Sequence, residues 1–219
     1  AYLNSLIKIK NDNLSNSLVT SVMALQAEAI LGQKSKQEAL VICEEAINLF
    51  PNSIGAKQCE SIRSDILQPE LTFSMQSVVL PNQEINAKIS YRNLTNPHYR
   101  IYKLEQAELK EIDGRSIQDI VKTLLRKDYI VENVVNVPEN ADYQEHSIDI
   151  KLPELECGTY FIMFSEDDIF SKNEEHLPAI HIFQVSNLSF VTTKENDDFI
   201  VYVLDRESGK PVEDVNVNI

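Results

Sequence analysis

Leu152–Asp167 reads LPELECGTYFIMFSED. A Leu-Pro stretch leads through Gly158 into TYFIMF, a short, nearly unbroken apolar run. Bounded by turn residues on one side and acidic residues on the other, such a run reads as a buried strand rather than a helix. Gly158 lies between turn and strand, so a positive φ is expected there.

Outward from this strand the period is two. Upstream, LTFSMQSVVL (Leu71–Leu80) precedes the turn PNQE. INAKISYRN then alternates Ile85, Ala87, Ile89 and Tyr91 against polar residues, and HYRIYKLE does so around Tyr99 and Ile101. A helical interruption, SIQDIVKTLLRK, follows Gly114. IVENVVNVP, HSIDIKLP and, past the central strand, AIHIFQVS complete the set. Seven strands between residues 71 and 186 predict an antiparallel, immunoglobulin-like β-sandwich. Helices do not alternate with strands, which excludes a parallel α/β fold.

Residues 1–68 have helical period. SKQE (Ser35–Glu38) reads as a capping box. Ala39, Leu40, Cys43, Ala46, Ile47 and Phe50 recur on one face up to Pro51, and Ile54, Cys59, Ile62 and Ile66 form a second stripe. An earlier helix runs to Gly32, the expected C-terminal cap. Small-residue spacing at Ala39, Ala46 and Pro51 resembles the second helix of a tetratricopeptide repeat. A plain helical hairpin fits equally well, because Met23 and Ile30 stand where that repeat carries aromatics. The overall class is therefore α+β by segments: helical region 1–68, sandwich 69–186, and the first strands of an incomplete second sandwich in 187–219.

The last segment carries the more specific pattern. In FIVYVLDRESGKPVEDVNVNI, the residues Leu204, Asp205, Arg206, Gly209, Pro211, Val215 and Val217 resemble the start of a macroglobulin domain. Leu152, Pro153, Leu155, Gly158 and Tyr160 resemble a turn and strand of the same family. With helices ahead of the sandwich, the chain resembles the N-terminal region of a bacterial alpha-2-macroglobulin-like protein. The resemblance implies a portion of a longer array of sandwich domains, a periplasmic or cell-surface location, and a signal or lipoprotein segment upstream. It implies protease targets met through the full-length parent, and further parent domains as partners. Leu188, Phe190, Phe199, Val201, Val203, Val215 and Val217 should form an apolar face needing cover, from the first sandwich or, preferentially, from a second copy in a dimer.

Composition narrows the chemistry. The 219 residues carry 20 basic against 34 acidic side chains, a net charge of −14. That balance opposes binding of a nucleic-acid backbone or an anionic membrane. No apolar run approaches the roughly 20 residues of a membrane span. Five glycines build no phosphate loop, and no Gly-x-Ser-x-Gly elbow is present. The family's thioester segment is Cys-Gly-Glu-Gln. Here Cys157-Gly158 continues Thr-Tyr, so no thioester is expected.

His176 and His181 flank Pro178 at a spacing unsuited to a shared metal. Glu166, Asp167, Asp168, Glu174 and Glu175 lack an EF-hand pattern and read as a solvated acidic loop. Cys43, Cys59 and Cys157 match no zinc or redox spacing. They read as free thiols, with a Cys43–Cys59 bridge as the alternative. Tyr91, Tyr99 and Tyr102 read as cross-strand packing, with a carbohydrate platform as the alternative. Asn13, Asn93 and Asn187 begin Asn-x-Ser/Thr triplets of little weight in a bacterial chain.

No catalytic, cofactor or metal residue is therefore assigned. The expected function is a non-enzymatic structural module of an alpha-2-macroglobulin-like protease inhibitor. The alternative is a cell-envelope adhesion module for a protein or glycan.

Overall fold

A computed structural model describes residues 2–33, 35–170, 177–195 and 198–216. The chain divides into two compact units. The first holds residues 1–70 with Tyr91–Thr95 and Pro138–His146, and the second holds the remainder.

Four helices build the first unit: α1 (Tyr2–Asp12), α2 (Val19–Leu31), α3 (Lys36–Leu49) and α4 (Ile54–Leu67). α2 carries Val19, Met23, Ala24, Ala27 and Ile30 as its buried apolar residues. α3 and α4 bring Ala39, Leu40, Cys43, Ala46, Cys59 and Ile66 into the same core. Pro51 and Asn52 separate the last two helices. Ser53 caps α4, its Oγ accepting from Ala56 N at 3.2 Å. Ser53 Oγ also lies 2.8 Å from Thr20 Oγ1 of α2, in hydrogen-bond contact. Ser35 makes no such cap: its ψ of 79 is far from extended cap geometry. Gly32 ends α2 in right-handed geometry (φ −59), and its N–H donates to Glu28 O.

The two inserted segments attach to these helices by polar bonds. Asn93 Nδ2 donates to Ile66 O at 2.8 Å and Gln68 O at 3.1 Å. Arg92 pairs with Glu70 at 2.6 Å. Lys36 Nζ donates to Tyr143 O at 2.9 Å. Burial, with Arg92 nearby, holds the Lys36 ammonium below its ordinary pKa.

Among the described residues eight strands run up to Val185, with most of their length in the second unit. They are β1 (Glu70–Met75), β2 (Val78–Val79), β3 (Ile85–Arg92), β4 (His98–Leu104), β5 (Val131–Val134), β6 (His146–Leu152), β7 (Gly158–Ser165) and β8 (Ala179–Val185). They form one sheet ordered β1-β3-β6 and another ordered β2-β8-β7-β4-β5. Seven antiparallel strands were expected. The eighth arises because LTFSMQSVVL breaks at Gln76-Ser77 and its second half changes sheet. That half, β2, runs parallel to β8.

Between β4 and β5 lie α5 (Gln106–Ile112) and α6 (Ile117–Leu124). α6 was expected, and Ser116 Oγ caps it by accepting from Asp119 N at 3.2 Å. α5 was not, since the preceding strand pattern runs into it. Its start is fixed by Glu108, whose carboxylate accepts from Glu105 N at 2.7 Å and from Lys127 Nζ at 2.6 Å. Those bonds, the backbone one foremost, hold the Glu108 carboxyl below its usual range.

β7 has six consecutive buried residues, Tyr160–Ser165. Phe161 and Met163 join Tyr102, Leu104, Ile112, Val121, Leu124 and Phe170 in one core cluster. On the opposite face Phe164 meets Phe73 of β1 at 4.6 Å and Tyr99 at 5.3 Å between ring centroids. Arg100 closes the helix-side face, its guanidinium 4.1 Å from the Phe170 ring centre and 3.0 Å from Glu132.

Gly158 does not have the expected positive φ; among the glycines only Gly114 and Gly209 do. It is instead an ordinary strand residue paired with Val185.

A separate antiparallel pair, β9 (Leu188–Glu195) and β10 (Asp198–Asp205), follows. Val215 lies outside any strand, and among the described residues the next pairing is a bridge between Leu204 and Pro211. Val217 and Ile219 lie outside the described residues. On the predicted apolar face, Phe190 is 71% exposed and Leu188 40%, so the first sandwich does not bury them.

Gly55 marks the tightest crossing in the helical unit. A Cβ there would lie 2.1 Å from the backbone of Thr20 and Ser21. Backbone cannot yield as a side-chain tip can, so Gly55→Ala should destabilise the helical unit by roughly 2–4 kcal/mol. Urea unfolding followed by helical circular dichroism measures this, and a midpoint equal to wild type would contradict the crossing.

Candidate functional site

The turn after β10 is the most densely bonded polar feature of the chain's last segment. Asp205 Oδ1 accepts from Ser208 N at 2.7 Å and from Ser208 Oγ at 2.6 Å. Gly209 N donates to Asp205 O at 2.8 Å, and Asp205 N to Lys210 O at 2.8 Å. Gly209 takes φ +68, as its place in the turn requires. Pro211 follows as the bridge partner of Leu204, where its missing N–H costs no bond. Arg206 reaches outside the turn: its Nη2 donates to Val78 O at 3.2 Å, and its backbone N to Asn187 O at 2.6 Å. Each residue singled out between Asp205 and Pro211 thus has a defined structural task.

The chain is similar to Escherichia coli alpha-2-macroglobulin. A solved portion spanning domains MG0-NIE-MG1 aligns at 14% identity with a TM-score of 0.45, covering 65% of this chain and 47% of that one. This chain therefore spans about half of that structure's length. A second portion, NIE-MG1, aligns at 12% identity and TM-score 0.43, covering 67% and 74%. No protein-family model and no curated protein matches the chain.

The remaining candidate residues fall into structural roles. Tyr91, Tyr99 and Tyr102 are all buried, which overturns a carbohydrate platform. Tyr91 lies in the helical unit, where its hydroxyl donates to Pro138 O at 3.3 Å. Burial raises the Tyr102 pKa. Asp167 N donates to Ser165 Oγ at 3.4 Å, closing a local turn beside Glu166 and Asp168. Glu174, Glu175 and His176 lie outside the described residues. Among the described residues no three His, Cys, Asp or Glu side chains converge as metal donors.

Sequence reasoning missed one Ser–His proximity: Ser77 Oγ and His181 Nε2 are 3.4 Å apart. The pair is exposed, and the His181 ring packs edge-on to Phe73 at 6.3 Å.

The helical unit also contains a hollow of about 270 Å3 lined by Leu67, Tyr91, Asn93, Asn140, Tyr143 and His146. His146 Nε2 sits 2.9 Å from Asp142 Oδ1, and that hydrogen bond lowers the Asp142 pKa.

All three cysteines are free thiols in this structure: Cys157 is exposed, whereas Cys43 and Cys59 are fully buried in one core cluster. The neighbouring Cys59 thiol, then burial, pushes the Cys43 thiol well up.

The Asp205 carboxyl is held below the usual carboxylate range, first by the Ser208 hydroxyl and then by the Ser208 amide. Its folded pKa is depressed, so its contribution is present above the unfolded value and is lost as pH falls through the folded one. The Ser208 and Gly209 amides should therefore lose protection, measured against their intrinsic exchange rates, once pH drops below the Asp205 pKa, and Asp205→Ala should show that loss at neutral pH. Unchanged protection in the variant would remove Asp205 from the turn's support.

Proposed function

We propose that this chain is a non-enzymatic structural module of an alpha-2-macroglobulin-like protease inhibitor, acting in the periplasm or at the cell surface. The observation that carries this reading is the Leu204–Pro211 turn. Its residues match the macroglobulin pattern, and each one performs the bonding task that such a pattern needs. The order of parts supports it too: a helical unit, a two-sheet sandwich, then a strand pair opening another. No helix among the described residues is long and apolar enough to cross a membrane.

In this reading the module holds sandwich domains in a frame around a captured protease. Bait and thioester chemistry belong to other parts of the parent protein. The uncovered Leu188 and Phe190 face is where a further parent domain seats. Proteases are met by the parent, not by this module alone.

The test uses parent and module side by side. An endopeptidase incubated with the parent should lose activity on large protein substrates while keeping it on small peptides, the signature of enclosure. Parent that leaves cleavage of large substrates untouched overturns the proposal. The isolated chain should form no covalent adduct with the protease and incorporate no methylamine, read by mass spectrometry. Methylamine amide at a glutamyl side chain, with a cysteine thiol released, would reveal a thioester in this chain and overturn the assignment of that chemistry to other parts of the parent.

A further inference from the structure

We propose that Cys43 and Cys59 form a disulfide that staples α3 to α4 when the chain folds in an oxidising compartment. The proposal stands on the geometry of the helical hairpin and does not depend on the inhibitor reading.

Phe50 ends α3 and Ser53 caps α4. Cys43 lies seven residues before Phe50, and Cys59 six residues after Ser53. At about 1.5 Å of rise per residue, both cysteines stand about 9–10 Å from the turn, level with each other on antiparallel helices. Both belong to the inward stripes, are fully buried, and share one core cluster. In this structure both are free thiols, so the proposed bond is one that oxidation would form.

A disulfide needs Cβ atoms roughly 3.5–4.5 Å apart, closer than helices separated by large side chains allow. The stripes here are small where it matters: Ala39 and Ala46 flank Cys43 on α3, and Ala56 lies one turn before Cys59 on α4. A pair of small core hydrophobes would need burial alone. Level placement and a small-residue surround are what a crosslink requires in addition.

The chemistry is two-electron exchange with a disulfide oxidant such as glutathione disulfide. One cysteine thiolate attacks a glutathione sulfur, breaking that S–S bond and releasing one glutathione thiol. The second thiolate attacks the protein sulfur of the mixed disulfide and releases the other glutathione. Two protein thiols are oxidised, one glutathione disulfide is reduced, and the two thiol protons finish on the two glutathiones. Full burial places this exchange during folding, before the hairpin closes, and shields the bond afterwards.

The experiment refolds the reduced, denatured 219-residue chain in a glutathione redox buffer, blocks exchange, and counts thiols under denaturing conditions without reductant. One free thiol is expected, with peptide mapping showing a 43–59 link lighter by two hydrogens. Three free thiols, or a link through Cys157, overturn the proposal. Cys59→Ala, a change small enough for the core to absorb, should leave two free thiols and no intramolecular link. The bond closes a loop of 15 intervening residues, so the oxidised wild type should melt about 5–10 °C above the reduced form. The variant should melt alike in both buffers. Equal midpoints for oxidised and reduced wild type would overturn the staple.

Discussion

The second unit is organised around a strand that shows neither face to water. Tyr160–Ser165 of β7 are buried without interruption. Burying an aromatic or large aliphatic side chain is worth roughly 1.5–3 kcal/mol, but only if something covers it. A single sheet can cover one face. Here α5 and α6 cover the face holding Phe161 and Met163, and β1 brings Phe73 to the opposite face against Phe164. The helices inserted between β4 and β5 are therefore required by β7. Arg100 completes the cover at one corner by laying its cation against Phe170.

In the helical unit the corresponding constraint is closeness. Gly55 lets the start of α4 touch the backbone of α2, and Ser53 and Thr20 join across the same point. The alanines along α3 and α4 are small at the same level, and Cys43 and Cys59 share that core. Bulk is contributed elsewhere, by Met23, Ile30, Leu40 and Ile66.

Period was legible wherever an element was long and had one wet face. β3 alternates cleanly, and the central apolar run announced β7. α5 escaped because seven residues are too few to establish a helical period, although Glu105 and Glu108 carried its start signal. The break at Gln76-Ser77 escaped because a strand that changes sheets keeps its period of two. Ser35 had the right neighbours for a cap but not the backbone angle. For the candidate site, the turn chemistry of Asp205, Ser208, Gly209 and Pro211 was readable because all its bonds are local. Arg206 was not, since its acceptor lies 128 residues upstream. Tyr91, Tyr99 and Tyr102 read as cross-strand packing, and all three are buried; only the alternative of an exposed platform falls.

That long reach of Arg206 bears on how the folded chain stays apart from its neighbours in solution. β2 is an edge strand of the five-stranded sheet. The carbonyls of Ser77 and Val79 turn inward, accepting from Gln184 and Ser186. The Val78 carbonyl between them turns outward, and an outward carbonyl on an edge is what an incoming strand grips first. Arg206 already occupies it with a charged donor that no foreign backbone amide can easily displace. The edge is also only two residues long. A single guanidinium thus leaves this border of the sheet with little to offer a growing β-aggregate.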